Sequence, residues 1–157
     1  MAGTAAEIDA RLIAFVLPST PGSVRMARTR VRAALGIHGL HQYADDAETI
    51  TSELVTNAIQ HVRGDGTETV GVVLTRMRNP EGVTVTVSDS SPASPAIPEA
   101  AADSEQGRGL RIVQALSAHW GWRPQGGGKA IFATVARETG AVQPRRRDTK
   151  NSRPLPA

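Results

Sequence analysis

The sequence of 157 residues contains no cysteine. Disulfide frameworks, thiolate zinc sites and cysteine nucleophiles are excluded together, and a reducing compartment, the cytoplasm, is the expected location. Aromatic residues are scarce: Phe15, Tyr43, Trp120, Trp122 and Phe132 are all there are, so a core must be built from aliphatic side chains. No apolar run approaches the ~20 residues of a membrane-spanning helix. The longest near the start, Leu12 to Leu17, follows the acidic Glu7 and Asp9 rather than a basic cluster, unlike a secretory leader. A surplus of charge is also missing from most of the chain. The net charge of +3 comes from residues 138–157, where five basic side chains face two acidic ones; residues 1–137 carry 13 of each. A neutral domain without aromatic platforms argues against specific nucleic-acid binding, despite the arginines of the tail.

What is present reads as one domain over residues 10–137, between a flexible segment 1–9 and a disordered Pro/Arg-rich tail 138–157. Residues 10–17 predict a strand ended by Pro18. Thr20 and Pro21 then predict a helix start, as cap and first helical residue, and Val24, Ala27, Val31 and Leu35 recur at helical spacing up to Gly36. A second helix, capped by Asp45 or Asp46, carries Ile50, Leu54, Ala58 and Val62 as its apolar stripe. Residues 68–76 and 83–88 predict two strands joined by the turn Asn79 to Gly82, the second alternating Val83, Val85 and Val87 with Thr84, Thr86 and Ser88. Residues 90–106 are rich in Ser, Pro, Ala and Glu, a long stretch that is functional or disordered when it interrupts a domain. A third helix is expected from about Leu110 to Ala118. Strands from Trp120 and over 129–136 follow, about the turn Gln125 to Gly128. This order predicts an α+β two-layer sandwich: a mixed, largely antiparallel sheet with helices on one face.

Three constellations carry chemistry. Glu53, Asn57 and His61 are four residues apart and so lie along one line of the second helix. A carboxylate there can orient or deprotonate a hydroxyl, and a carboxamide oxygen suits Mg²⁺ beside phosphate oxygens and water. The same spacing fits a solvated polar face. Asp89 continues the face of Val83, Val85 and Val87 to the end of its strand, placed to accept a hydrogen bond from an exocyclic amine; Asp-Ser-Ser-Pro also reads as a plain turn. Gln106-Gly107-Arg108-Gly109-Leu110 is a glycine-bearing helix entry, where backbone amides can approach phosphate.

Taken in order, SELVTNAIQH, VSDSSP after a strand, and QGRGL opening a helix resemble the GHKL ATPase superfamily. Within it, PSTPGSVRMARTRVRAAL and GRGLRIVQALSAHWGWRPQGGGKAIFATV are similar to the small bacterial anti-sigma factor serine/threonine kinases. That resemblance implies ATP and Mg²⁺ as cofactors, Glu53 as general base and Asn57 as the Mg²⁺ ligand. It implies Asp89 as the reader of the adenine amine, and Gly107, Arg108, Gly109 and Leu110 as the loop over the phosphates. His61 matches a position often basic in that branch, and residues 92–106 match the ATP lid. The implied partners are a sigma factor, an anti-anti-sigma protein and a second copy of the chain. Two departures stand out: Ser90-Ser91-Pro92 replaces a glycine-bearing pattern, and Gly128-Lys129 replaces Gly-Thr, for whose lost hydroxyl Thr134 or Ser88 would have to substitute. A nucleotide-gated binding module without turnover is the alternative reading.

Overall fold

Alternation of Val and Thr makes the strand that organises the molecule. In a computed structural model, which describes residues 8–61, 66–91 and 105–137, this strand sits at the centre of a five-stranded sheet. The strands are β1 (Ile8–Pro18), β2 (Thr69–Arg78), β3 (Glu81–Asp89), β4 (His119–Gln125) and β5 (Gly128–Ala136), in the spatial order β1-β2-β3-β5-β4. All four described pairings are antiparallel, so the mixed sheet of the sequence reading is corrected to an antiparallel one. Three helices, α1 (Gly22–Ile37), α2 (Ala44–His61) and α3 (Glu105–Leu116), cover one face, giving the expected α+β two-layer fold.

The register explains which face is buried. Val83, Val85 and Val87 stand opposite Val135, Ala133 and Ile131 of β5 and, on the other side, opposite Arg76, Leu74 and Val72 of β2. All three valines, with Leu74 and Val72, are buried against Leu54, Val55 and Ala58 of α2. Thr84 and Thr134 form the complementary pair on the open face, where their hydroxyls hydrogen-bond at 2.7 Å. The core is aliphatic apart from the buried Tyr43, in line with the shortage of aromatics, with Phe15, Trp120 and Trp122 packed on its margin.

Element ends differ from the sequence reading for local reasons. Asp9 belongs to β1, not to a frayed segment, because its carboxylate meets Arg78 at 2.7 Å and Arg76 at 3.7 Å across the strand pair. Thr20 is not a cap: Pro21 holds the N-cap position, and the Thr20 hydroxyl meets the Ser23 hydroxyl at 3.3 Å instead. Gly36 does not end α1. The helix continues to Ile37 and closes with Gly39 at φ 69°, where the amides of Gly39 and Leu40 donate to the carbonyls of Gly36 and Leu35. This Schellman arrangement buries Leu40 beside Leu35 and needs a residue free to adopt left-handed backbone. Asp45 and Asp46 lie inside the first turn of α2 rather than capping it, where their charge complements the helix N-terminus. Residues 1–7, Val62 and the tail 138–157 lie outside the described residues.

Two outer helices are held together by charge as well as by packing. Arg28 reaches Glu48 at 2.9 Å and Arg32 reaches Asp45 at 2.7 Å, with Arg32 also bonded to Glu48. Burial would push the Glu48 carboxyl up, but the two guanidiniums outweigh it and hold it below the usual range. A groove of about 420 Å³ runs over this network, lined by Arg28, Arg32, Asp45, Glu48, Thr49 and Ser52. It lies between α1 and α2, and none of the expected site residues lines it. No helix among the described residues is long and apolar enough to cross a membrane.

Candidate functional site

The site is assembled where the C-terminal half of α2 crosses the end of β3. Thr51, Leu54, Val55 and Ala58 are buried and fix the roll of α2 about its axis. That roll sets Glu53, Asn57 and His61 along the flank of the buried stripe, so they are neither in the core nor on a free polar face. Asn57 is buried, and its Oδ1 has no hydrogen-bond partner among the described residues; the same holds for Nδ1 of the half-buried His61, one turn further on. Buried acceptors are nearly always satisfied, and each orphan costs about 1–3 kcal/mol. Two in succession on one helix line leave buried polar atoms that a ligand or water would satisfy. Burial lowers the pKa of His61 below its ordinary value, assisted by the positive charge of Lys129 and partly opposed by Asp89.

From the other side, α3 closes on Glu53. A Cβ built on Gly109 would lie 2.7 Å from Glu53 Oε2, so the glycine leaves room for the carboxylate against the helix backbone. Here the structure departs from the expected loop. Gly107, Arg108, Gly109 and Leu110 are within α3, which starts at Glu105 instead of near Leu110 and ends at Leu116. Gly107 and Leu110 are buried, Gly109 half-buried, and Arg108 exposed. Of the segment expected as a lid, 92–104 lies outside the described residues, while Glu105 and Gln106 open the helix.

Asp89 does end β3 on the buried face, as its parity with Val87 requires, but it is not an open acceptor. Lys129 stands directly opposite it in the β3–β5 register. The ammonium lies 3.1 Å from Oδ1 and 3.1 Å from Oδ2, and the Ser91 amide donates to Oδ1 at 2.8 Å. The side chains of Lys129 and Asp89 are 1% and 2% exposed. Neither substitute hydroxyl is near: Thr134 and Ser88 point to the open face, Thr134 bonded to Thr84 and the Ser88 hydroxyl lying 2.6 Å from a Cβ built on Gly71. Lys129 is the site residue that sequence reasoning treated only as a lost hydroxyl. Its parity with Ile131, Ala133 and Val135 was the signal that it points inward beside Asp89.

The model of the histidine kinase-like ATPase domain matches residues 17–135, which is most of the chain. This chain belongs to that family. Among solved structures, the ATPase domain is similar to the RsbU and RsbW domains of Rv1364c from Mycobacterium tuberculosis, with a TM-score of 0.55 and 20% sequence identity. The match covers 79% of this chain and 32% of the other, so this domain spans about a third of that protein's length and shares its fold. No curated protein matches the sequence. The fold and the GHKL resemblance read from the motifs are thereby upheld.

The residues suit the cofactors of such an ATPase domain unevenly. An orphaned, buried carboxamide oxygen on Asn57 fits a hard cation that takes one protein ligand and draws the others from phosphate and water. No group of three or more His, Cys, Asp or Glu able to hold a metal by themselves occurs among the described residues. Asp89 is different, because the carboxylate that the resemblance assigns to an amine is already paired with Lys129.

Proposed function

We propose that the protein is an ATP-dependent regulator of the anti-sigma type, in which Glu53 and Asn57 handle phosphoryl transfer to a serine or threonine of an antagonist protein. The observation that carries this reading is the unpartnered Asn57 Oδ1, one helical turn from a Glu53 carboxylate that α3 accommodates at Gly109. Mg²⁺ with ATP would supply charge neutralisation of the transferring group. Asn57 would hold the metal through Oδ1. Glu53, fixed by α2 and flanked by α3, would orient the incoming hydroxyl and take its proton. Arg108, exposed on the first turn of α3, would meet phosphate oxygens, and the first amides of that helix add to the attraction for an anion. Partners of this reading are a sigma factor and an anti-anti-sigma protein, with a second copy of the chain, in the cytoplasm. The test is calorimetry with Mg-ATP, followed by transfer of labelled γ-phosphate to candidate antagonist proteins. Binding lost in Asn57→Ala and transfer lost in Glu53→Gln are expected; transfer undiminished in Glu53→Gln would reject the assigned base.

The closed Asp89–Lys129 pair favours a second reading, a nucleotide-gated protein-binding module without turnover. It predicts binding of Mg-ATP with no phosphorylated product for any partner.

A further inference from the structure

We propose that Lys129 is an internal stand-in for the purine amine, so that this domain selects nucleotides by their phosphates and metal and does not discriminate adenine from a C6-carbonyl purine. The inference rests on the ATP reading above and adds the base specificity of that site.

A carboxylate reads an amine by accepting its N–H groups, and adenine carries that amine at C6 where hypoxanthine carries a carbonyl. A site built to hydrogen-bond a polar group rejects the analogue lacking it by large factors, because its own buried acceptor would be left unpaired. Here the acceptor is never left unpaired. Lys129 faces both oxygens of Asp89 at 3.1 Å, and the Ser91 amide adds a bond to Oδ1. The pair is cross-strand and in register, continuing the buried ladder of Val87 opposite Ile131, so it is held by the sheet and not by a flexible surface contact. Both side chains are withdrawn from solvent. Drawing Lys129 away to admit a base would strand an ammonium and a carboxylate in a low-dielectric layer, which costs more than one amine hydrogen bond returns. The penalty that normally enforces adenine is therefore absent. Asn57 Oδ1, by contrast, is an acceptor with no partner among the described residues, the group a nucleotide-borne cation would use.

ATP and ITP, which differ only along the N1–C6 edge (an N1 acceptor and C6 amine against an N1–H and C6 carbonyl), separate this from ordinary adenine recognition. With the full chain and Mg²⁺, calorimetry should give dissociation constants for the two within about threefold, whereas carboxylate readout predicts a ratio of at least tenfold. Lys129→Met, which keeps the length of the side chain and removes its charge, should raise the ATP-over-ITP preference tenfold or more by freeing Asp89. Lys129→Arg should leave the ratio near that of the wild type. The wild-type ratio alone decides the matter if Lys129→Met does not fold. A wild-type preference for ATP of tenfold or more, or an unchanged ratio in folded Lys129→Met, overturns the inference while leaving the ATP reading in place. Binding of neither nucleotide to wild type or Lys129→Met overturns the ATP reading and the inference with it.

Discussion

Replacing Gly109 by alanine separates what α3 does for stability from what it does for Glu53. Two effects of opposite sign meet at this position. Glycine within a helix is about 1 kcal/mol less favourable than alanine, so the substitution should strengthen α3. Against that, the new methyl would sit 2.7 Å from Glu53 Oε2, well inside the ordinary contact range that starts at 3.4 Å. The obstructing atom is the far end of a long, half-buried side chain, not backbone, so the carboxylate retreats by about 0.7 Å at little cost to the fold. Positioning is less forgiving, since a misplacement on the order of 1 Å costs about 10²-fold in a transfer step. The expected variant is therefore as stable as wild type, or more stable by up to about 1 kcal/mol, yet transfers phosphate about 10- to 100-fold more slowly while binding Mg-ATP normally. Urea denaturation followed by circular dichroism measures the first quantity and single-turnover γ-phosphate transfer the second. Wild-type transfer rates in Gly109→Ala would refute the placement of Glu53 as base; a loss of several kcal/mol would show that the glycine serves packing.

Asn57→Ala removes an unsatisfied buried acceptor, so its apparent melting temperature without nucleotide should not fall, while the stabilisation that Mg-ATP confers on wild type in thermal shift should disappear. Lys129→Met leaves the Asp89 carboxylate buried without its cation and should cost about 3–5 kcal/mol in denaturant titrations, whereas removing both charges in Asp89→Asn/Lys129→Met should recover much of that loss. His61, with its pKa lowered in the folded protein, accepts a proton less readily there than in the unfolded chain; its contribution to stability is present above its ordinary value of 6.5 and is lost as pH falls below it. His61→Gln should therefore flatten the pH dependence of unfolding between about pH 7 and 5, and an unchanged slope would assign that dependence elsewhere. Arg32→Ala, which deletes solvent-screened ion pairs to Asp45 and Glu48, should shift the same titration only slightly.

Periodicity carried most of the architecture. The strict alternation of Val83, Val85 and Val87 predicted both the strand and its buried face, and the spacing of Ile50, Leu54 and Ala58 predicted α2 and the line of Glu53, Asn57 and His61 beside it. Glycine signals were read less well, because a glycine marks backbone freedom or a close approach without saying which. Gly126 and Gly127, both at positive φ, make the expected hairpin turn between β4 and β5. Gly107 and Gly109 instead sit within α3, where the space vacated at Gly109 takes a carboxylate from another helix. The Lys129–Asp89 pair depends on the alignment of strands forty residues apart, so no local pattern displays it. The parity of each strand was in the sequence; the register that set them opposite each other was a tertiary fact.

That alignment also constrains how the chain can fold. Were β5 to slip by one residue against β3, Lys129 would turn outward to water and leave a carboxylate facing hydrocarbon. A slip of two would keep the faces but set Asp89 against Ile131 or Gly127, with the same deficit of charge. Valine, alanine and isoleucine on these strands are nearly interchangeable as neighbours and would tolerate either error. The pair of opposite charges at the end of the ladder thus disfavours both slips, alongside the close approaches of Gly128 to the Asp89 backbone and of Gly82 to the Val135 backbone, which a shifted side chain would obstruct.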